Sequence, residues 1–308
     1  MISCQSRCQI VSALILSLIF ALFTGLTQAD DLYFVDAHSQ IDQEVEDISL
    51  VLKRMNENNV QKTILSARGK RHDSDIVRLA RNSGGRVIAS IRTKGGKYTQ
   101  DKPRFYLKLE KQSNNGKFGA IAEVIMYHAQ KGHMAEEVEI YPSDERVQAV
   151  LAAAKSNHWP FVAHIEFAAL GRDKRQRYMK EFETLLKENS STPVLLIHMG
   201  QLPPQVAKTL LTRHKNLHFI TSHADPITVN KSTQPWVNMF QGEHFKPQWQ
   251  VLMLEFPDRF VFALDNVWAE HWEDDYSKKM KLWRKALGDL PVEVAEKIAH
   301  GNAERLYQ

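Results

Sequence analysis

The sequence predicts an α/β fold, a single (β/α)8 TIM barrel behind an N-terminal leader, and three observations predict it. Eight short β-rich runs recur along the chain, amphipathic helical stretches lie between them, and unusually long loops follow three of the runs. The runs are residues 32–36, 60–66, 86–91, 120–124, 161–164, 194–198, 217–221 and 260–265. Most are continuously apolar rather than alternating, as strands buried on both faces of a parallel sheet are. Of the helical stretches, residues 44–58 put Val45, Ile48, Leu52 and Met55 on one stripe. Residues 143–157 do the same with Val147, Val150, Leu151 and Ala154, and residues 175–188 with Tyr178, Phe182, Leu185 and Leu186. A doubly wound open sheet would carry a glycine-rich phosphate loop after its first strand. Here the first run leads instead into Asp36-Ala37-His38-Ser39-Gln40, and no such loop occurs anywhere. The long loops are residues 128–142, 223–247 and 266–275, after runs four, seven and eight. In a barrel all three lie on the carboxyl-terminal face, where active sites sit.

Composition bounds the rest. The 308 residues are 43% hydrophobic and 25% charged, which excludes disordered, collagen-like and coiled-coil chains. Forty Lys and Arg against 36 Asp and Glu are scattered rather than gathered into a stripe, so no nucleic-acid partner is expected and a small-molecule substrate is. Residues 1–29 have the order of a secretory signal peptide: Arg7 as the early charge, an apolar segment from Val11 to Leu26, then Thr27-Gln28-Ala29. The apolar segment is short of the roughly 20 residues that cross a bilayer, so cleavage after Ala29 is expected and no stable membrane anchor. Cys4 and Cys8 depart with the leader. The expected product is a cysteine-free domain of residues 30–308, without disulfides or thiolate ligands, in the periplasm or secreted.

The chemistry is written at the ends of the runs. Run one leads into His38, run four meets Glu123, run five His164, run six His198 and run eight Asp265. A closed parallel barrel brings these five to its mouth. Packing alone prefers apolar residues there, because unpaired buried charge is expensive. Three imidazoles with two carboxylates suit a divalent ion, zinc first, with manganese, iron or nickel behind it.

The order of motifs resembles the amidohydrolase superfamily, and within it the amidohydrolase-2 group of metal-dependent TIM-barrel hydrolases and decarboxylases. The resemblance spans roughly residues 33–307 and rests on Phe34-Val35-Asp36-Ala37-His38, Ile121-Ala122-Glu123-Val124, Val162-Ala163-His164, Leu196-Ile197-His198-Met199-Gly200, the stretch from Asp258 to Asp265, and Gly301-Asn302-Ala303-Glu304-Arg305-Leu306. One position departs: the family's strand-one His-x-His reads His38-Ser39-Gln40 here, an amide in place of the second imidazole. Two ligand sets therefore stay open. Either one metal sits on Glu123, His164 and His198, or His38, His164 and Asp265 hold it with Gln40 or water filling in; the first is preferred because it leaves Asp265 free to act. The resemblance implies metal-assisted hydrolysis in which a water is activated, Asp265 carries the proton to the leaving group, and His38 ligates or orients.

Arg68 and Arg92, after runs two and three with Lys94 close behind, are placed to bind a carboxylate or phosphate. His128 and His133 after run four, and His223 after run seven, are further proton handlers or ligands, and Gln40 is counted among the substrate contacts. Trp236, Phe240, Phe245 and Trp249 after run seven, with Trp268, His271 and Trp272 after run eight, form an apolar wall or simply pack their loops. The function expected is an exported hydrolase of an amide, cyclic amide, lactone or ester. Non-oxidative decarboxylation is the runner-up among enzymes, against which Gln40 counts, and a non-catalytic ligand-binding barrel is the reading from a different class, which Gln40 favours.

Overall fold

The protein is described from a computed structural model covering residues 31–132 and 135–308. The expected leader of residues 1–29, with Arg7, Cys4 and Cys8, and His133 lie outside the described residues. Twelve strands are present among the described residues: β1 Phe34–Ile41, β2 Val60–Ala67, β3 Val87–Ile91, β4 Ala120–Ile121, β5 Val124–His128, β6 Val138–Glu139, β7 Phe161–Ile165, β8 Val194–Leu196, β9 Leu217–Ile220, β10 Phe240–Gln241, β11 His244–Phe245 and β12 Phe260–Val261. Parallel pairing runs from β1 through β2 and β3 to β4, and from β5 through β7, β8 and β9 to β12.

The two sheets are one barrel. β4 and β5 are halves of the fourth barrel strand, interrupted at Ala122 and Glu123, whose carbonyls both accept from the Thr93 hydroxyl. At the other seam the chain beyond β12 runs beside β1, with Ala37 N donating to Phe262 O at 3.0 Å, Asp265 N to His38 O at 2.9 Å and Gln40 N to Asn266 O at 2.7 Å. Asp36 reinforces this seam from within. Its buried carboxylate accepts from Ser39 Oγ, Thr63 Oγ1 and Leu264 N, while Ser39 Oγ accepts from Asn266 N. Inside the barrel Val35, Ala37, Ile64, Ala120, Val162, Leu195, Ile197, Ile220, Val261 and Ala263 form one core, joined by Ala303 and Leu306 of the last helix. A larger core lies between the barrel wall and the surrounding helices. The eight-strand (β/α)8 architecture is the one the apolar runs predict.

Boundaries moved where local hydrogen bonding competes. The helix expected from residue 44 spans Leu50–Glu57. Asp47 accepts from both the backbone and the hydroxyl of Ser49, a side-chain turn that holds the preceding residues out of the helix. Strand one does not stop at Asp36 but runs through His38 and Gln40, because β2 continues to pair with it to Ala67. Strand six ends before His198, where the chain turns left-handed.

Candidate active site

Of the residues singled out as site candidates, His38, Gln40, Glu123, His164, His198, His223 and Asp265 converge in two linked groups at the carboxyl-terminal mouth, and Lys94, expected to bind a substrate anion, pairs instead with Glu123. Glu123, His164 and His198 have ligand atoms within 4.8 Å of one another, and so do His198, His223 and Asp265. The backbone explains part of the second group. His198 (φ 56°), Met199 (φ 55°), Gly200 (φ 59°) and Gln201 (φ 54°) form a left-handed turn directly after β8, and His223 (φ 59°) and Asp265 (φ 49°) are left-handed too. Each non-glycine residue there costs roughly 1–2 kcal/mol, and such strain gathers at functional sites. Gly200 is required as well, since a Cβ would stand 2.6 Å from Leu196 Cδ2.

Glu123 is fully engaged. Its Oε1 accepts from Lys94 Nζ and from Gln40 Nε2 at 3.1 Å, and its Oε2 lies 2.5 Å from His164 Nδ1. The other His164 nitrogen lies 3.3 Å from Glu166 Oε1, which also accepts from Lys131 Nζ at 3.0 Å. Burial works against a charge on His164, but the flanking Glu123 and Glu166 outweigh it and raise its pKa. Burial likewise opposes ionisation of Glu123, and Lys94 and His164 overcome it, holding the carboxyl well below the usual range.

The opposite group is sparsely bonded. Asp265 Oδ2 lies 3.6 Å from His198 Nε2 and 3.4 Å from His223 Nε2, while Oδ1 accepts from Gln40 Nε2 at 2.8 Å. His198 Nδ1 lies 3.0 Å from Ser222 Oγ. His38 Nε2 is buried without a hydrogen-bond partner among the described residues, 3.5 Å from Asp265 Oδ1, and His223 Nδ1 is unpartnered as well. The His198 and His223 rings stack at 4.2 Å with Trp236 edge-on to both. Burial, with His164 nearby, pushes His198 down to about 3, and burial beside His198 holds His223 well below the ordinary imidazole value.

A cavity of about 140 Å³ lies over these groups and adjoins a second of about 470 Å³; Arg68, Lys94, His128 and Trp268 line both. Arg68 lies over the Trp268 ring at 4.6 Å, and Arg92, in the outer cavity, donates to Gly69 O at 2.7 Å. Neither has an ion-pair partner among the described residues. The His128 ring stands 5.5 Å from that of His164. The sequence reading passed over Glu166, Lys131 and Ser222. Only Glu166 left a trace, two residues beyond His164, where strand alternation returns a side chain to the same face.

Comparison with known proteins agrees with this architecture. An uncharacterised TIM-barrel protein from Bordetella bronchiseptica superposes with a TM-score of 0.57 at 14% identity, covering 85% of this chain and 83% of its own. An amidohydrolase from Burkholderia multivorans, solved with bound HEPES, gives 0.54 at 12%, covering 89% and 99%. A provisionally named 2-pyrone-4,6-dicarboxylic acid hydrolase from Pseudomonas putida gives 0.55 at 8%, covering 90% and 97%. At these identities the likeness is one of fold. No curated protein matches the sequence. The family described as amidohydrolase matches residues 104–308, which hold Glu123, His164, His198, His223 and Asp265. With two thirds of its length inside that match, the chain belongs to the amidohydrolase family of metal-dependent hydrolases.

Proposed function

We propose that the protein is an exported hydrolase that opens an ester, lactone or amide bond in a small substrate carrying a carboxylate. The observation that carries this reading is the adjacency of two features at the barrel mouth. One is a buried cluster of imidazoles and carboxylates, and the other is a cavity walled by two arginines with no ion-pair partner among the described residues. The name of the Pseudomonas neighbour describes a hydrolase of a cyclic ester bearing carboxylates, which favours the lactone among these bonds. The signal-peptide-like order of residues 1–29 supports export to the periplasm or beyond. No helix among the described residues is long and apolar enough to cross a membrane.

The donor set suits a divalent ion, zinc before manganese, iron or nickel. Tetrahedral zinc with ligands at about 2.0–2.1 Å separates them by about 3.4 Å, and the His198 and His223 nitrogens stand 3.6 and 3.4 Å from one Asp265 oxygen. Held by His198, His223 and Asp265, such an ion would supply Lewis acidity toward a substrate carbonyl and toward water. The chain does the rest. Arg68, its guanidinium over the Trp268 ring, and Arg92 anchor the substrate carboxylate. Asp265 Oδ1 takes the proton and returns it to the leaving oxygen or nitrogen, with the unpartnered His38 nitrogen 3.5 Å away to orient it. The walls of the small cavity exclude bulk water and so strengthen each of these charges.

The test is turnover by untagged protein on a panel of carboxylated lactones, esters and amides, with zinc or manganese added and then chelated. Chelator-sensitive ring opening is expected. An Arg68→Ala, Arg92→Ala double variant should show a KM raised at least about tenfold on the carboxylated substrate, with little change on its methyl ester. Release of carbon dioxide in place of acid would move the protein to the decarboxylases, and no turnover on any class would leave the binding barrel.

A further inference from the structure

Building on the reading above, we propose that the metal is held by His198, His223 and Asp265, three residues after successive barrel strands. The Glu123 side of the mouth is filled by the protein's own cation, Lys94, together with the Gln40 amide. The argument is an inventory of free ligand atoms. Both oxygens of Glu123 are already bonded, to Lys94 and Gln40 on one side and His164 on the other. Both ring nitrogens of His164 face carboxylates, Glu123 at 2.5 Å and Glu166 at 3.3 Å. An ion could join Glu123 and His164 only by breaking several buried charge-assisted bonds. His198 Nε2, His223 Nε2 and Asp265 Oδ2 carry no such commitments; the nitrogens stand 3.6 and 3.4 Å from the Asp265 oxygen, near the ligand spacing of tetrahedral zinc, and all three atoms lie within 4.8 Å of one another.

Further observations point the same way. His198 Nδ1 meets Ser222 Oγ at 3.0 Å; donating its proton there leaves the Nε2 lone pair for the ion, the usual arrangement of a ligating histidine. His38 Nε2 is 98% buried by its side chain, unpartnered, and faces the other oxygen of the Asp265 carboxylate. Three protein ligands then leave one position open, the pattern of a catalytic rather than a structural ion. The His198 and His223 rings are parallel to within 2° and cannot both aim at one point as they stand. His223, whose Nδ1 has no partner, is the ring that turns on loading. Loss of the second strand-one imidazole is then no lesion: Gln40 bridges Glu123 and Asp265, and the ion has moved toward strands six to eight.

The experiment is zinc binding by untagged protein, read by elemental analysis and equilibrium dialysis, for the natural sequence and for His164→Gln, Glu123→Gln, His198→Gln, His223→Gln and Asp265→Asn. One equivalent is expected in the natural protein and in folded His164→Gln and Glu123→Gln. The other three should bind more than about 100-fold more weakly, beyond the 10–100-fold expected for loss of an outer hydrogen-bond partner. Zinc kept by His223→Gln but lost by His164→Gln or Glu123→Gln would overturn the assignment while leaving metal dependence intact. Two equivalents in the natural protein would overturn the role given to Lys94. No zinc at any concentration would overturn both this assignment and the metal-dependent reading. Because a glutamine variant can fail by misfolding, His223→Cys loaded with cobalt supplies a gained signal. A thiolate-to-cobalt absorption band is expected, and its absence from a cobalt-loaded variant would sink the assignment.

Discussion

The two sides of the barrel mouth hold the same residue types in opposite states. Around β3, β5 and β7, Lys94, Glu123, His164, Glu166 and Lys131 form a chain in which each charge faces a partner. Beyond β8, β9 and β12, His198, His223 and Asp265 sit on left-handed backbone, at separations longer than hydrogen bonds. The backbone strain is confined to the second side; neither Glu123 nor His164 is among the residues with positive φ. Burial pushes both histidine groups toward neutrality, and only on the first side do two carboxylates outweigh it. The lesson is that a histidine after a barrel strand is not a ligand by position. Whether its nitrogens are already committed decides it.

The largest test of this contrast is Lys94→Met. Lys94 and Glu123 side chains are 8% and 3% exposed, so the variant leaves a nearly buried carboxylate without its cation. Breaking a buried pair from one end costs about 3–5 kcal/mol. Zinc-free Lys94→Met should therefore lose about that much stability in urea unfolding. A loss below about 1 kcal/mol, the range of exposed pairs, would show that the first side is not the paired block described. Next in size is Ser222→Ala on the opposite side. Freed from its hydroxyl, His198 should bind zinc about 10–100-fold more weakly in dialysis, while the zinc-free protein, its buried His198 Nδ1 now unpaired, loses about 1–3 kcal/mol.

How much of this was legible in the sequence follows from the same contrast. The eight runs and the residues closing them were legible because burial on both faces leaves a continuous apolar signature, and a polar side chain after it stands out. Glu123, His164, His198 and Asp265 were found that way. Their pairings were not: Lys94 was read as an anion binder and Gln40 as a stand-in ligand or substrate contact, not as partners of Glu123. Lys94 precedes Glu123 by 29 residues and Gln40 by 83, and such contacts exist only once the barrel closes. His223 was named only as one of several loop histidines, since nothing in Thr221-Ser222-His223 announces a left-handed turn that aims the ring at Asp265. The shortened helix after β1 failed for a local reason, the Asp47 to Ser49 turn, which apolar periodicity does not register.

The smallest effect, and the one that reads the contrast most directly, is in pH. In the zinc-free protein the pKa of His164 is raised in the folded state, so the folded chain holds that proton more tightly than the unfolded one. The stabilisation is then complete below the unfolded value of about 6.5 and is lost as pH rises through the raised folded value. Glu166 has the opposite sign. Burial opposes its ionisation, but His164 and Lys131 lower its pKa, so its contribution is present above about 4.5 and fades only in acid. Stability of the first side should therefore decline as pH rises above about 6.5. Glu166→Gln, which takes one carboxylate from the His164 ring, should bring the imidazole titration back toward its ordinary value and flatten that decline. Ring nitrogen shifts from NMR separate the two sides residue by residue. His164 should hold protons on both nitrogens to higher pH than His198 and His223 do. A His164 that titrates below about 6.5 would erase the distinction, because its nitrogens would then be as free to bind metal as those across the mouth.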